Sequence, residues 1–492
     1  MTERIPSSYK DLREFIAYLD RRGQLRRIKA PVSNELEIAE ITDRVSKSRD
    51  ANYALLFENV RGHSMPVLIN ALGSRERMSW ALGLHDLEEL RERMSSLVKP
   101  EVPAGLLEKL QKAGELSEVL RYRPKTVTSA ACQEIVLTGE QVDLNRLPIL
   151  KCWPEDGGRY ITLPLVISRD PLRGTRNVGM YRIQVYDRNT AGMHWQIHKG
   201  GTEHQRRALE QGQQRMDVAV ALGGSPACIY AGSAPLPPGI DEIMFAGWLG
   251  HERVEMVKCK TIDLEVPAHA EIVLEGWVDP GEKRLEGPFG DHTGYYSLAD
   301  MYPVFHIQAI TMRSKPIYPT TIVGLPPQED YWLGKATERL FLPLMQLVVP
   351  EIVDVNMPAE GVFHNLVIVS IKKRFPGQAR KVMYALWGLM LLSLSKYIWV
   401  VDEDVDVQNL SEVLFHVTSN TDPRRDSVIV EGPLDALDHA TDKFAYGAKM
   451  GLDATRKRPD LDHFPHDWPN DIRMAPEVMG MVTRRWKEYG IS

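Results

Sequence analysis

Glu286-Gly287-Pro288-Phe289-Gly290-Asp291-His292-Thr293-Gly294-Tyr295-Tyr296 is the most informative segment of this chain. Its glycines and its proline favour a turning, non-helical backbone, so both carboxylates, Glu286 and Asp291, can point into one pocket. Two neighbouring acids whose environments shift their pKa values apart form a workable acid/base pair. A surface turn with two solvated acids fits the same spacing, so the spacing alone does not separate the two interpretations.

Strand-forming patterns surround this segment. Between residues 134 and 324, short apolar runs are separated by turn-rich pieces such as 187–192 and 279–281. We expect a barrel-like β domain here, interrupted by helices such as 241–249. The predicted strands are 161–168, 180–186, 194–198, 228–231, 271–278 and 305–312.

The first 120 residues alternate between helix and strand patterns. Ser8 is a candidate cap for a first helix that Gly23 ends. A second helix is predicted at 35–48, and strands are predicted at 54–60 and 67–72. The apolar stripe of the first helix is formed by Leu12, Phe15, Ile16 and Leu19.

The last third of the chain repeats this alternation. Its predicted strands and helices interleave, which favours an α/β domain followed by a terminal helix at 476–489. The strands are predicted at 352–355, 366–371 and 397–401, and the helices at 334–348 and 378–394. We therefore predict an α+β multidomain protein with an N-terminal α/β domain (1–120), a central β domain (121–325) and a C-terminal α/β domain with a helical tail (326–492).

Composition excludes several classes of protein. The 492 residues carry a net charge of −6, so the chain lacks the basic footprint of a nucleic-acid-binding protein. The longest apolar run, 382–394, falls short of the ~20 residues that span a bilayer, and the first residues lack the apolar core of a signal peptide. The four cysteines form neither a zinc-ligand spacing nor a disulfide framework. We expect a cytoplasmic protein without a transmembrane segment.

Common catalytic fingerprints are missing from the sequence. There is no phosphate-binding GxxxxGK[ST] and no GxGxxG between a strand and a helix. The segment Gly223-Gly224-Ser225-Pro226 approaches the nucleophile elbow of serine hydrolases, in which the residue after the serine donates its backbone N–H to the oxyanion. Pro226 has no such N–H, which argues against a serine hydrolase.

An arginine enters a mostly apolar strand in Asn177-Val178-Gly179-Met180-Tyr181-Arg182. A guanidinium cannot be neutralised by losing its proton, so a buried Arg182 needs a carboxylate, either from a substrate or from Glu286. An arginine at the rim that points into water is the equally open alternative. Asn177 and Arg182 would lie on opposite faces of a regular strand, unless a bulge at Gly179 changes this.

A third segment, residues 194–201, also carries candidate ligand-binding residues. In His194-Trp195-Gln196-Ile197-His198-Lys199-Gly200-Gly201, the two glycines allow the backbone to approach a ligand, and Lys199 supplies positive charge. Glu242 begins the helix that follows Pro237-Pro238-Gly239. Asn177, His198 and Glu242 together offer the mixed N/O ligands that Mn²⁺ or Mg²⁺ accepts, although residues this far apart in sequence commonly share no site.

Taken together, these segments resemble the UbiD family of decarboxylases over nearly the whole chain. The resemblance is carried by Asn177 five residues before Arg182, by Glu286–Tyr296 almost unbroken, and by Asp402-Glu403-Asp404-Val405-Asp406 after Lys396. It implies that the central domain is a split β-barrel similar to flavin reductases. It also implies prenylated FMN as the cofactor, supplied by a partner flavin prenyltransferase.

The resemblance also assigns roles to residues. Arg182, Glu286 and Asp291 fall at the family's catalytic positions, with Asp291 as proton donor. Asn177, His198 and Glu242 would bind the divalent metal, usually Mn²⁺, that anchors the cofactor phosphate, and K⁺ or Na⁺ often lies beside it. The implied cofactor-binding residues are Thr162, Asn177, Met180, Tyr181, Arg182, His194, Trp195, Gln196, Lys199, Gly200 and Lys396.

The implied reaction is the non-oxidative, reversible decarboxylation of an aromatic acid. Family members that act on cinnamic-type acids carry a glutamate where this chain has Asp291, so the shorter acid favours the quinone-pathway members. The expected substrate is then 4-hydroxy-3-polyprenylbenzoate of ubiquinone biosynthesis, in a homodimer or homohexamer with possible peripheral contact with the inner membrane. The alternatives are 1,4-dihydroxy-6-naphthoate of the menaquinone pathway, a simpler phenolic acid, or a flavin oxidoreductase on the same barrel.

Overall fold

The computed structural model describes residues 4–98, 120–196, 200–237 and 239–491. The first of these ranges folds as an α/β unit, as predicted. Its sheet has the order Leu25–Ile28, Ala54–Phe57, Val67–Ile69 and Tyr318–Pro319, so the end of the central region contributes the last strand. The helices around it are Leu12–Arg21, Glu37–Ser46, Arg75–Ala81 and Glu88–Val98.

The prediction that Ser8 caps the first helix is wrong. The cap is Asp11, whose extended backbone lets its carboxylate accept hydrogen bonds from the backbone N–H groups of Arg13 and Glu14, both at 3.0 Å. The Ser8 hydroxyl instead donates to the Glu252 carboxylate at 3.1 Å. The helix therefore begins three residues later than its sequence pattern suggested.

A mainly antiparallel sheet of nine strands, counted over the described residues, occupies the central region. Most side chains of its inner strands are buried, as expected for a sheet covered on both faces. Eight strands follow one another in the order Tyr160–Ile161, Ile183–Val185, Thr190–Met193, Asp300–Met312, Ala270–Glu286, Met216–Gly223, Pro164–Arg169 and Arg176–Gly179. Ile135–Thr138 pairs with Asp300–Met312 as the ninth. In the described part of the chain the sheet does not close into a barrel.

Smaller elements complete this region. Two short sheets are formed by Glu265–Pro267, Glu255–Lys258 and Lys125–Val127, and by Phe289–Gly290 and Tyr296–Ser297. The helices are Gly200–Glu210, Pro226–Ser233 and Glu242–Leu249, and the 3₁₀ turns are Ala131–Gln133, Gly139–Gln141 and Leu144–Arg146.

Three of the predicted central strands need correction. Residues 228–231 lie in the helix Pro226–Ser233, where Pro226 occupies a first-turn position and the Ser225 hydroxyl accepts from the Cys228 backbone N–H. The strand predicted at 180–186 is reduced to Ile183–Val185. In the strand predicted at 194–198, residues 194–196 follow the end of the strand Thr190–Met193 and are not part of it, and residues 197–198 lie outside the described residues. The helix predicted at 241–249 is confirmed as Glu242–Leu249, with Asp241 as its cap.

The C-terminal region contains a five-stranded sheet, which confirms the predicted alternation. Its order is Ile352–Asn356, Leu366–Ile371, Tyr397–Asp402, Tyr446–Asp453 and Ser427–Pro433. The helices are Glu329–Val348, Gln378–Trp387, Leu410–Asn420, Pro423–Asp426, Pro459–Asp462 and Pro476–Arg485, and the 3₁₀ turns are Ala359–Gly361, Met390–Leu394 and Trp486–Tyr489. None of the helices within the described ranges has both the length and the apolar character that crossing a bilayer requires.

The three regions pack against one another. A single hydrophobic cluster includes buried side chains from the N-terminal helices, the central sheet and the C-terminal sheet, among them Leu12, Ile167 and Val369. The fully buried Glu271 joins two of the regions, because its carboxylate accepts two hydrogen bonds from the Arg13 guanidinium, each at 2.8 Å, and lies 3.4 Å from Arg313 Nε.

We predict that Glu271→Ala lowers the midpoint of thermal unfolding by several degrees. Removing the fully buried carboxylate leaves the Ile317 N–H and the partly exposed Arg13 guanidinium without their acceptor, at a cost of about 1–3 kcal/mol for each buried group left unsatisfied. Circular dichroism during heating measures the midpoint. Glu40→Ala, which removes an exposed helix pair with Arg44, is the control and should leave the midpoint nearly unchanged. Equal shifts in the two variants would contradict the role of Glu271.

Candidate active site

Three predicted site residues lie together because each is placed at the end of a strand. Arg182 directly precedes Ile183–Val185, and His194 directly follows Thr190–Met193, the antiparallel neighbour of that strand. Glu286 is the last residue of a long strand that lies two positions further along the same sheet. The ends of these strands therefore bring together three side chains that are up to 104 positions apart in the sequence.

The Arg182 guanidinium holds both predicted acids. Its Nε donates to Glu286 Oε1 at 2.8 Å and its Nη2 donates to Glu286 Oε2 at 3.1 Å, a bidentate arrangement. Its Nη1 forms an ion pair with Asp291 Oδ2, and Nη2 also donates to the Ser297 hydroxyl. Only 8% of the Arg182 side chain is exposed, so the structure favours the buried, carboxylate-paired arginine over the rim arginine.

His194 orients Glu286 from the other side. Its Nδ1 lies 3.0 Å from Glu286 Oε2, and its ring stacks on Tyr302 with 4.1 Å between the ring centroids. Burial and the nearby Arg182 charge lower the pKa of His194. The imidazole is therefore neutral near pH 7 and carries its proton on Nδ1, since a carboxylate can only accept.

The expectation that the two acids have pKa values shifted apart does not hold in this arrangement. Burial alone would raise the pKa of Glu286, but the His194 hydrogen bond and the Arg182 charge outweigh it and lower that pKa. Burial likewise opposes ionisation of Asp291, yet the hydrogen bond from His292 and the charge of Arg182 lower its pKa strongly. Both acids are carboxylates because they share one guanidinium.

The loop between the two acids is fixed by side chains from earlier in the central region. Gly287 adopts φ +97°, a backbone conformation that favours glycine, and its N–H donates to Gln184 Oε1 at 2.9 Å. The Gly290 N–H donates to Asp156 Oδ1 at 2.8 Å, and the Tyr160 hydroxyl donates to the Pro288 carbonyl at 3.2 Å. Gln184, Asp156 and Tyr160 were missed by the sequence analysis, because no local pattern marks a residue that supports a distant loop.

Arg182, His194 and Asp291 line a cavity of about 430 Å³ between the central sheet and the C-terminal region. Its lining is largely apolar, a property typical of sites for aromatic ligands. The predicted cofactor-binding residues Thr162, Met180, Tyr181 and Gln196 also line it. The apolar wall opposite consists of Leu333, Phe341, Leu344, Met345, Met357, Phe363, Leu389 and Leu392.

A second, more polar cavity of about 1080 Å³ adjoins the first, and Tyr181 and Ser233 line both. Asn177 and Glu242 face it together with Gly200. Asn177 lies in the strand Arg176–Gly179, whereas Arg182 lies after the end of that strand and directly before Ile183–Val185. The two residues therefore do not share a regular strand, and the alternation of faces along one strand does not apply to them.

Asn177 and Glu242 form a setting that suits a bound cation. The Asn177 Nδ2 is buried without a hydrogen-bond partner in the described structure and could donate to a phosphate oxygen, whereas Asn177 Oδ1 is the atom that could bind a cation. A Cβ on Gly200 would lie 2.1 Å from this Oδ1, so a glycine is required there. Glu242 Oε2 accepts from the Val178 N–H at 3.1 Å, and burial raises the pKa of Glu242 to about 7. A divalent ion would supply the charge that this carboxylate lacks.

The remaining predicted site residues either line neither cavity or lie outside the described residues. Trp195 is buried, and its Nε1 has no hydrogen-bond partner within the described ranges. Lys396 forms an ion pair with Asp438 and lines neither of the two cavities. His198 and Lys199 lie outside the described residues.

Several polar residues of the first cavity come from the C-terminal region and were missed. Asp330, His364 and Asp435 line it beside His292. His292 belongs to the quoted motif, but nothing in its spacing marks it as a site residue. The other three lie up to 143 positions from it, and only the packing of the C-terminal sheet over the cavity brings them near.

Comparison with known families assigns all three regions. Residues 16–97, 125–326 and 331–454 match the UbiD N-terminal domain, the UbiD Rift-related domain and the UbiD C-terminal domain of 3-octaprenyl-4-hydroxybenzoate carboxy-lyase, respectively.

Similar proteins cover the whole chain. Uncharacterized proteins of Archaeoglobus fulgidus and Aquifex aeolicus are 50% and 51% identical to it, over 98% of this chain and 98–99% of theirs. Among solved structures, vanillic acid decarboxylase of Sedimentibacter hydroxybenzoicus is 28% identical, with a TM-score of 0.85 over 98% of this chain and 99% of that one. The UbiD-class enzyme HmfF of Pelotomaculum thermopropionicum, in complex with FMN, is 30% identical, with a TM-score of 0.80 over 96% and 98%.

We predict that divalent-cation affinity falls at least about tenfold between pH 8 and pH 6. The raised pKa of about 7 means that Glu242 is ionised above this value and protonated below it, and protons compete with a metal for the same carboxylate. Isothermal titration with Mn²⁺ measures the affinity. Glu242→Gln and Asn177→Ala should bind Mn²⁺ weakly at both pH values. Wild-type affinity in either variant would place the metal elsewhere.

Proposed function

Since the chain belongs to the UbiD family of prenylated-FMN-dependent carboxy-lyases, we propose that it decarboxylates a 4-hydroxybenzoate-type acid, with 4-hydroxy-3-polyprenylbenzoate as the leading candidate. A decarboxylase of aromatic acids is what the family comparison supports. The proposed substrate class rests on one observation: Arg182 lies between Glu286 and Asp291 at the wall of an apolar cavity.

Arg182 would bind the carboxylate of the substrate. A guanidinium offers two parallel N–H donors to a carboxylate, and the Arg182 Nη1 and Nη2 atoms that now contact Asp291 and Ser297 are the ones nearest the motif loop. Glu286, which His194 holds in place, would keep the guanidinium plane oriented. Asp291 would give a proton to the carbon that loses CO₂.

The residues present fit the cofactor. Asn177 and Glu242, with His198 as the third proposed ligand, would hold the divalent metal and through it the cofactor phosphate in the larger cavity, with K⁺ or Na⁺ near the backbone of Val178. The continuous lining at Tyr181 lets one elongated ligand occupy both cavities. When bound, prenylated FMN supplies an electron sink for the charge that develops as CO₂ leaves.

The domain boundaries, the supply of the cofactor, the oligomeric state and the location are likewise proposed from the family resemblance. We place the domain boundaries at 1–120, 121–325 and 326–492 and regard the central sheet as a split barrel. A flavin prenyltransferase would supply the cofactor to a homodimer or homohexamer. A cytoplasmic location with peripheral contact with the inner membrane suits a long prenylated substrate.

One observation favours a simpler phenolic acid as the second candidate. The cavity of about 430 Å³ has to hold the flavin ring as well as the substrate, which leaves little enclosed space for a long tail. The 28%-identical structural neighbour is a vanillic acid decarboxylase. A polyprenyl tail would have to leave the cavity along the apolar side chains of the helix Glu329–Val348.

We predict that Glu286→Gln abolishes decarboxylation, lowering kcat by ~10³-fold or more, while flavin content stays near that of the wild type. The amide keeps the size of the side chain but cannot balance the charge of the buried Arg182. CO₂ release measures the first effect, and absorbance of the purified protein measures the second. Glu282→Gln, at a residue of the same strand that contacts His306 and lines neither cavity, is the matched control. Full activity of Glu286→Gln would remove Glu286 from the reaction.

The substrate is tested by supplying the cofactor-loaded enzyme with one acid at a time and following CO₂. We expect kcat/KM to rise with the first isoprene units on 4-hydroxybenzoate, since each buried CH₂ contributes about 0.8 kcal/mol. Higher kcat/KM for vanillate or another unprenylated acid would select the simpler phenolic acid, and 1,4-dihydroxy-6-naphthoate tests the menaquinone route. Bleaching of the flavin by NADH without CO₂ release would indicate an oxidoreductase.

A further inference from the structure

Asp291 cannot donate a proton in the arrangement that the structure shows. Its Oδ2 is paired with the Arg182 guanidinium, and its Oδ1 accepts from the His292 backbone N–H at 2.7 Å and from His292 Nδ1 at 2.8 Å. Each turnover nevertheless delivers one proton to carbon. A guanidinium and a backbone amide do not release protons at physiological pH, so the side chain of His292 is the contacting group that can supply one.

His292 has a second contact that suits this task. Its Nε2 lies 2.7 Å from His364 Nε2, in the loop before the C-terminal strand Leu366–Ile371. Two imidazole nitrogens can approach this closely only when one carries a proton and the other offers a lone pair. His364 then accepts from a His292 that is protonated on both nitrogens.

The charges around the pair support this assignment. Burial alone would lower the pKa of His292, but Asp291, Asp435 and Asp330 raise it to about 8. Burial and the neighbouring His292 lower the pKa of His364 to about 4. Near pH 7 one imidazolium therefore lies at His292, and a neutral acceptor lies at His364.

We propose that His292 returns a proton to Asp291 in every catalytic cycle and that His364 stabilises the imidazolium form of His292. The inference rests on the proposed function, in which Asp291 is the donor to carbon. Both histidines act on the reaction only through Asp291: His292 passes the proton to it, and His364 keeps His292 protonated.

The C–CO₂ bond breaks, CO₂ leaves, and the bonding electron pair stays with the substrate carbon. This carbon takes a proton from Asp291, which takes the Nδ1 proton of His292, and neutral His292 regains a proton from solvent when the product leaves. The acid form of Asp291 is needed only transiently, because the carbon is a far stronger base than a carboxylate.

The cavity geometry supports a supply from solvent at this point. His292, His364 and Asp435 are half-buried rather than fully enclosed, and the loop after Asp435 reaches the exposed His439. The His439 ring contacts Tyr295 of the motif, with 4.1 Å between the centroids. Because 16% of the His292 side chain is exposed, solvent can reach this ring without passing Arg182 or Glu286, which are more deeply buried.

Three variants of the cofactor-loaded enzyme test the proposal. His292→Asn keeps an N–H near Asp291 but cannot ionise, and we expect kcat to fall about 10²-fold or more with little change in KM. His364→Leu removes the acceptor, and we expect the alkaline limb of the kcat profile, near pH 8 in the wild type, to move down by about one pH unit. His364→Gln, whose amide oxygen can accept, should restore much of this shift.

The control is His306→Gln, at a histidine that pairs with Glu282 on a distant part of the sheet, and it should keep wild-type kinetics. Histidine ¹⁵N spectra give a readout besides activity: the His292 resonance should titrate near pH 8 and shift down in His364→Leu. Titration of His292 near 6.5, or an unchanged pH profile in both His364 variants, would overturn the proposal. The proposal would also be overturned if His292, His364 and Asp435 bound a cation together and His364→Leu lost it. Wild-type protein that releases no CO₂ from any acid would instead overturn the proposed function, and the donor role of Asp291 with it.

Discussion

Burial of the Arg182 guanidinium is the constraint on which the rest of the site depends. Its charge persists at any physiological pH, and transferring it from water without compensation would cost several kcal/mol. The fold meets this cost with Glu286 at the end of a central strand and with Asp291 five residues later. The chain therefore has to reverse direction between the two acids, which explains a glycine at φ +97° and a loop held by hydrogen bonds to side chains from earlier in the central region.

The second acid connects this pair to the C-terminal region. Because one oxygen of Asp291 is used by Arg182, the other is free to accept from His292, whose ring reaches across to His364. The residues proposed to hold the cofactor metal come from the central region, whereas the polar groups that contact Asp291 and His292 come from both the central and the C-terminal regions. Packing of the C-terminal sheet against the central one consequently affects the chemistry as well as the stability of the fold.

Sequence patterns predicted the parts of this molecule that depend on local order. The α/β alternation at both ends was confirmed, since helix and strand patterns are carried by short segments. Arg182 lies against Glu286, 104 positions away, which is one of the two partners that the sequence left open for a buried guanidinium. The helix at Pro226–Ser233 was mistaken for a strand because four apolar residues fit either period. His364 and Asp156 could not be found, since their roles arise from contacts with residues more than 70 positions away.

The lowered pKa values of both acids mean that acid/base roles are not assigned before the substrate binds. A substrate carboxylate at Arg182 competes with Asp291 and Glu286 for the same positive charge. Glu286 is held by two guanidinium hydrogen bonds and by His194, whereas Asp291 has a single guanidinium contact. In the proposed reaction the substrate would therefore displace Asp291 more easily than Glu286, and the pKa of Asp291 would rise as it lost its share of the guanidinium. Substrate binding itself would then separate the two acids into a permanent counter-ion, Glu286, and the proposed proton donor, Asp291, which is already in contact with His292.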